Sequence, residues 1–271
     1  MSGHVSYLEA KRRLDDRALN RTVLAAFAGA LPEAPTVLEL GSGTATMPER
    51  LLEWGVIESG RWIAVDSHAE AIGTGRRRLA GRSDASVDGG SVRVGTLDIE
   101  FAVADAFEYA AGLDGRVDAV VGSAFFDIVD VERAVSALAP ITDLVYAPIT
   151  YDGTTTFTPA DPEDDAVLDR YETHMREYRP GGPDGAARLS AALASVVADG
   201  ASPWVVEPPY HAGEETVVGH VVDTVEGAVA ETGYDAAAWA TRRRRQLEAE
   251  RLCYRAVNVD LVGTIERGDN S

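Results

Sequence analysis

Three acidic residues and one glycine turn are the parts of this chain whose types and spacing could do chemistry. Glu39 lies inside the apolar run Val37, Leu38, Leu40 and is followed by Gly41, Ser42 and Gly43. Asp66 closes a second run, Trp62 to Asp66, and Asp105 follows a third, Leu97 to Ala104. Glycines let the backbone approach a ligand closely, and the helix after such a turn aims unpaired N–H groups at the same spot. Carboxylates at neighbouring strand ends accept hydrogen bonds from hydroxyl and amino groups. Asp66 lies 23 residues after Gly43, a spacing that suits ribose hydroxyls. The combination points to an elongated, nucleotide-like ligand touched by several strands.

Those acids can meet only if their strands are neighbours in a parallel sheet, with the ligand beyond the carboxyl ends near a switch in strand order. The pattern of apolar residues supplies such strands at Thr36–Leu40, Trp62–Asp66, Leu97–Ala104, Val117–Gly122 and Leu144–Ile149. Between them it predicts helices from about Met47, after Ser67 to Leu79, and over Asp130–Leu138. A helical region, Val5–Leu31, precedes the first strand and is ended by Pro32 and Pro35. Gly81–Gly95 reads as a loop and Tyr151–Pro162 as an irregular segment. Beyond them come helices at Val167–Tyr178, Ala186–Ala198, Thr216–Ala230 and Asp235–Leu252, with strands at Trp204–Val206 and Val257–Ile265. The fold class is therefore α/β, a doubly wound, mostly parallel seven-stranded sheet.

Glu39 to Ala45 reads E-x-G-x-G-x-A, whereas the dinucleotide fingerprint G-x-G-x-x-G is broken at its sixth position by Thr46. The run resembles the first motif of class I S-adenosylmethionine-dependent methyltransferases, with Ala45 where a third glycine usually stands. The resemblance covers Thr36 to about Ile149 and continues more loosely to Ile265. It implies the Rossmann-like methyltransferase fold in one domain, 1–271. A helical lid would occupy 1–35, the cofactor-binding core 36–150, a substrate-side helical insert 151–183, and the completion of the sheet 184–271. It implies S-adenosyl-L-methionine as cofactor and in-line methyl transfer to a small-molecule acceptor. The cofactor site would comprise Glu39, Gly41, Ser42, Gly43, Asp66, Ser67, Asp105, Ala106, Ser123 and Phe125. Within it Asp66 would take the ribose and Asp105 the adenine amino group, although Asp105 also suits a plain helix N-cap. The residues GSAFFD after the fourth strand lack the N/D-P-P-Y/F motif of the amino-methylating DNA and glutamine enzymes.

Methyl transfer from a sulfonium needs alignment and exclusion of water, and a base only if the acceptor has a proton to lose. Candidates are Asp127, Tyr151, Tyr171, His174, Tyr178 and His211. Tyr171, His174 and Tyr178 share a helical face by their spacing, and His174 is the preferred base because imidazole titrates near neutrality. His4, His68 and His220 read as surface or helix residues. Arg13 and Arg17, on the lid, suit either the cofactor's carboxylate or surface pairs with Glu9, Asp15 or Asp16. The basic run Arg242–Arg245 is expected to pair with Glu248, Glu250 and nearby acids.

Composition bounds the partners. Against 44 acidic residues stand 25 basic ones, of which only Lys11 is lysine, giving a formal charge of −19. Such acid-rich, lysine-poor chains suit concentrated salt, and the charge disfavours DNA as a partner. One cysteine, Cys253, excludes an intramolecular disulfide. No signal-peptide h-region or membrane-length apolar run is visible, so a soluble, cytoplasmic protein is expected. Neither C-x-x-C nor H-E-x-x-H occurs, so no metal is expected, and no G-x-S-x-G elbow suggests a hydrolase. The rival readings are a protein or RNA methyltransferase, a non-catalytic S-adenosylmethionine-binding regulator, and a nicotinamide oxidoreductase.

Overall fold

The computed structural model describes residues 3–266. Two helices, α1 (Gly3–Ala18) and α2 (Arg21–Ala30), stand where one was expected. Asn20 separates them, because its side-chain oxygen accepts from the N–H groups of Thr22 and Val23 at 3.1 and 3.2 Å and so caps α2. Then follow β1 (Thr36–Leu40), α3 (Thr46–Glu53), β2 (Ser59–Asp66), α4 (Ala69–Ala80), β3 (Ala85–Asp88), β4 (Ser91–Val94), β5 (Thr96–Val103), α5 (Ala106–Ala111), β6 (Ala119–Val121) and α6 (Val131–Leu138). The second half comprises β7 (Leu144–Thr158), α7 (Asp164–Tyr178), α8 (Gly185–Ala192), β8 (Ser195–Ala201), β9 (Trp204–Val206), α9 (Glu214–Glu231), α10 (Ala237–Glu248) and β10 (Cys253–Thr264).

Seven strands run in the order β5-β2-β1-β6-β7-β10-β8, with β5, β2, β1, β6 and β7 mutually parallel and β10 antiparallel to both its neighbours. The chain winds outward from β1 through β2 to β5, then returns to place β6 on the other side of β1. That reversal creates a crevice at the carboxyl ends of β1 and β6. Successive strand residues serve opposite faces: Val37 packs with α2 and α3 on one side, Leu38 and Leu40 with α5 and α6 on the other.

Three expectations are corrected. The sheet has ten strands, not seven, because β3 and β4 form a hairpin outside β5 and β9 pairs with β10. Most of Gly81–Gly95 is thus no loop: Gly89 and Gly90 form the hairpin's turn, with Gly89 at φ +54°, while Gly81 caps α4 and Gly95 links β4 to β5. Second, the segment after Ile149 is not irregular. It continues β7, with Tyr151, Gly153, Thr155 and Phe157 on the inner face and Asp152, Thr154, Thr156 and Thr158 exposed. Residues 151–183 therefore combine the end of β7 with helix α7 rather than forming a helical insert. Third, the Ala-rich helix stops at Ala192, because the β-branched Val196 and Val197 belong to β8, where Val196 pairs with Gly263 of β10.

The arginine run on α10 ties helices together rather than pairing along its own helix. Arg242 binds Asp161 at 2.6 Å and Glu163, Arg243 binds Asp164, and Arg244 binds Asp223 at 2.6 Å and Glu226. The Arg242 guanidinium holds the Asp161 carboxyl down at about 2. Among the described residues no helix is long and apolar enough to cross a membrane, and no group of His, Cys, Asp and Glu could hold a metal ion.

Candidate active site

A cavity of about 560 Å³ opens at the carboxyl ends of β1, β2, β5 and β6, under helix α1. All ten residues assigned from sequence to the cofactor line it: Glu39, Gly41, Ser42, Gly43, Asp66, Ser67, Asp105, Ala106, Ser123 and Phe125. The glycine turn is built for close approach. Gly41 and Gly43 have φ of +64° and +53°, and a Cβ on Gly41 would lie 2.8 Å from Phe125 Cδ2. Ala45 adopts φ +51°, a left-handed conformation that costs a non-glycine residue about 1–3 kcal/mol. Its methyl group is fully buried, and that contact offsets part of the cost. From below, Gly75 on α4 meets the turn so closely that a Cβ there would stand 2.3 Å from the Thr44 carbonyl oxygen.

Each acid does structural work as well as facing the cavity. Asp66 Oδ2 accepts from the Gly43 N–H at 2.8 Å and Oδ1 from the His68 N–H at 2.8 Å, so this carboxylate braces the glycine turn. Oδ2 keeps a further lone pair, whereas Oδ1 also lies 3.2 Å from His68 Nδ1. Asp105 is the N-cap of α5, its Oδ1 accepting from Phe107 and Glu108 at 2.9 and 3.0 Å. Its Oδ2 takes no part in the cap, so the two sequence readings of Asp105 are compatible. Glu39 is 2% exposed and accepts from Trp62 Nε1 at 2.8 Å. Burial pushes its carboxyl up to about 8, against the Trp62 hydrogen bond and the Arg50 charge. Beside them lie buried polar atoms without a protein partner: Ser42 Oγ, Thr44 Oγ1 and Arg50 Nη2. Arg50 Nε donates to Asp16 at 2.7 Å, Nη1 makes a long contact to Met47 Sδ at 3.9 Å, and the guanidinium lies 5.9 Å from the centre of the Trp54 ring.

Helix α1 closes the cavity with His4, Tyr7, Leu8 and Lys11, which recur at helical intervals of three and four. Ion pairs hold it down. Arg78 on α4 donates to Glu9 and Glu49 at 2.6 Å each and to the Thr44 carbonyl at 2.8 Å, while Arg12 reaches Glu49 at 2.8 Å and Glu53 at 2.9 Å. Arg17 pairs with Glu214, and neither it nor Arg13 lines the cavity. Arg50 occupies the place considered for them. The histidines read as surface residues, His4, His68 and His220, all line the cavity, with the His4 and His68 rings 4.5 Å apart.

The far half of the cavity is a chamber walled by Tyr7, Tyr151, Tyr171, Tyr254 and Trp204, with Asp15, Lys11, Asp127 and Asn258 among its polar groups. The extended β7 and β10 supply Tyr151, Thr155, Tyr254 and Ala256. Ile149, where β7 passes over the cavity, takes φ +57°, and its N–H donates to the buried Asp260 at 2.8 Å. Asp260 also accepts from the Asn20 N–H at 2.8 Å, which fixes the lid's hinge and the chamber wall to one carboxylate. Burial raises the Asp127 carboxyl to about 6. Of the catalytic candidates, Asp127, Tyr151 and Tyr171 line this chamber, whereas Tyr178 and His211 do not. His174 lies on a neighbouring cavity that shares Asp127, Tyr171 and Arg179 with the large one. That smaller cavity measures about 180 Å³; His174 Nε2 lies 2.9 Å from Glu231, and the ring stacks on Tyr178. The shared helical face of Tyr171 and His174 is real, but α7 turns only its first member to the large cavity.

Sequence reasoning missed the residues of α1, α9 and β10 that line the site. A signal existed for α1, where Tyr7 and Lys11 share a face and Lys11 is the chain's one lysine.

No protein-family model matches the chain, and no curated protein matches its sequence. Among solved structures it is similar to the cyclopropane synthase MmaA2 from Mycobacterium tuberculosis, with 12% identity over 89% of this chain and 83% of that one and a TM-score of 0.46. It is also similar to the magnesium protoporphyrin IX methyltransferase of Synechocystis PCC 6803 with bound S-adenosylhomocysteine, at 12% identity over 94% and 85% and a TM-score of 0.43. The CcbJ methyltransferase of Streptomyces caelestis gives 17% identity over 52% and 60%, with a TM-score of 0.35. The cavity's own residues, rather than these distant likenesses, carry the functional reading.

Proposed function

We propose that the protein is an S-adenosylmethionine-dependent methyltransferase acting on a small molecule. The observation that carries this reading is the convergence of the glycine turn, Asp66 and Asp105 on one cavity that is also lined by Tyr7, Tyr151, Tyr171 and Tyr254. Thr46 breaks the dinucleotide fingerprint at its sixth position, which disfavours a dinucleotide. The buried atoms left without partners fit an amino-acid-bearing nucleoside: Arg50 Nη2 would take its carboxylate, Ser42 and the glycine turn its neighbourhood. Asp66 Oδ2 would accept from a ribose hydroxyl through its remaining lone pair, and Asp105 Oδ2 from the adenine amino group, with Phe107 and Phe125 against the ring.

When bound, S-adenosylmethionine supplies a methyl group on a sulfonium, already activated for in-line displacement. The chain's own work is then positioning and drying. Helix α1, latched by Arg12 and Arg78, covers the cofactor half, and the tyrosine chamber holds the acceptor. Asp127 is the group placed to receive a proton, being enclosed and ionised above about pH 6. The chamber's enclosure under α1 and the extended strands favours a small molecule over a protein or RNA acceptor.

Asp66→Asn tests the placement. Asparagine still accepts from one backbone N–H but loses the charge, so affinity for S-adenosylhomocysteine should fall by about 1–3 kcal/mol. Unchanged affinity in titration calorimetry would remove Asp66 from the ribose.

A further inference from the structure

The chamber holds more acceptor capacity than its own donors fill. Asp127 Oδ1 and Asp15 Oδ1 are both buried and have no hydrogen-bond partner, and Asp15 is only 2% exposed. A buried carboxylate oxygen without a donor is costly, and most costly when ionised. The chamber's one enclosed cation, Lys11, is spent on the other oxygen of Asp15 at 2.7 Å, with its ammonium 5.5 Å from the centre of the Trp204 ring. Arg179, exposed on the same cavity, makes no ion pair with Asp127 among the described residues, although its charge and that of Lys11 both favour the ionised carboxylate. Around these two oxygens stand aromatic walls. Tyr7, Tyr151 and Tyr171 line the same cavity as Asp127. Burial keeps all three phenols neutral at ordinary pH.

Aromatic faces around an enclosed carboxylate recognise one chemical class better than others, a positively charged nitrogen. We infer that the methyl acceptor is a small amine whose cationic nitrogen sits among Tyr7, Tyr151 and Tyr171 and donates to Asp127 Oδ1. This deepens the methyltransferase reading and rests on it. An anionic acceptor would meet two carboxylates, and a neutral alcohol could donate a hydrogen bond to Asp127 but would leave its charge unpaired, whereas Asp15 already has Lys11. The chemistry balances. An N–H proton passes from the ammonium to the Asp127 carboxylate, the freed lone pair forms the N–C bond, and the C–S bonding pair stays on sulfur as a neutral thioether.

Three probes of one shape and different charge test the inference: benzylamine, benzyl alcohol and benzoate. Each is titrated calorimetrically into the whole protein saturated with S-adenosylhomocysteine, in concentrated potassium chloride. Benzylamine is expected to bind at least about tenfold more tightly than either of the others. Asp127→Asn should abolish that preference. Tyr171→Phe should keep it, because the ring face remains, and Tyr171→Ala should weaken it. Equal or tighter binding of benzoate or benzyl alcohol overturns the inference, as does a preference that survives Asp127→Asn, or a failure of all three to bind the saturated protein. If S-adenosylhomocysteine itself does not bind, the methyltransferase reading fails first and takes the inference with it.

Discussion

Replacing Glu39 by glutamine should change how stability depends on pH and leave stability at low pH almost untouched. The side chain is 2% exposed and its Oε2 accepts from Trp62 Nε1 at 2.8 Å. Loss of hydration raises the carboxyl from 4.5 to about 8, with Asp66 adding to the rise and Trp62 and Arg50 opposing it. Between those values the native chain holds a proton that the unfolded chain has lost. Stability therefore falls as pH rises, by about 1.4 kcal/mol per pH unit. Below about pH 4.5 both states are protonated and nothing is lost. Above about 8 the loss is complete, on the order of 5 kcal/mol for the whole window. Glutamine mimics the protonated acid and keeps an acceptor for Trp62. Urea unfolding at fixed salt, in steps from pH 5 to pH 9, gives the comparison. The variant should match the parent near pH 5 and exceed it by several kcal/mol near pH 9. Asp127, also raised by burial, contributes equally to both proteins and cancels in the difference. Parallel curves for the two proteins would refute the reasoning, since they would mean that Glu39 ionises without penalty.

Gly75→Ala should lower stability by about 1–3 kcal/mol, because its Cβ would stand 2.3 Å from a backbone oxygen of the glycine turn. Thermal unfolding measures it, and an unchanged melting temperature would mean that α4 does not brace the turn. Arg78→Met removes hydrogen bonds to Glu9, Glu49 and the Thr44 carbonyl, so hydrogen exchange across α1 should accelerate by about tenfold or more. Exchange confined to its parental rate would show that other contacts hold the lid. His174→Ala should leave turnover at saturating substrate within about twofold, whereas loss of a general base costs a hundredfold or more. A loss of that size would return His174 to the chemistry despite its place outside the large cavity.

The parallel core was readable because its signals are local. Two apolar runs, one with Glu39 inside it and one closed by Asp66, gave β1 and β2 to within three residues, and the residues expected at the cofactor follow directly on strand ends. The chamber was not readable, for a physical reason. Its walls come from α1, α7, α9 and β10, whose juxtaposition depends on β7 and β10 extending past the rest of the sheet. Tyr151–Thr158 was misread because Gly153 and the threonines look like a loop until the alternating exposure is known. His174 illustrates the same limit. Spacing placed it on a face with Tyr171, but only packing against α9, through Glu231, decides which part of that face meets the cavity. The arginines of α10 likewise found partners on α7 and α9, and no spacing rule along one helix could have named them.

The central claim concerns what the glycine turn binds. Titration calorimetry in concentrated potassium chloride with S-adenosylmethionine, S-adenosylhomocysteine and NAD addresses it most directly. One molecule of either sulfur nucleoside should bind per chain, with no heat from NAD. Binding of NAD, with neither sulfur nucleoside bound, would contradict the account at its root.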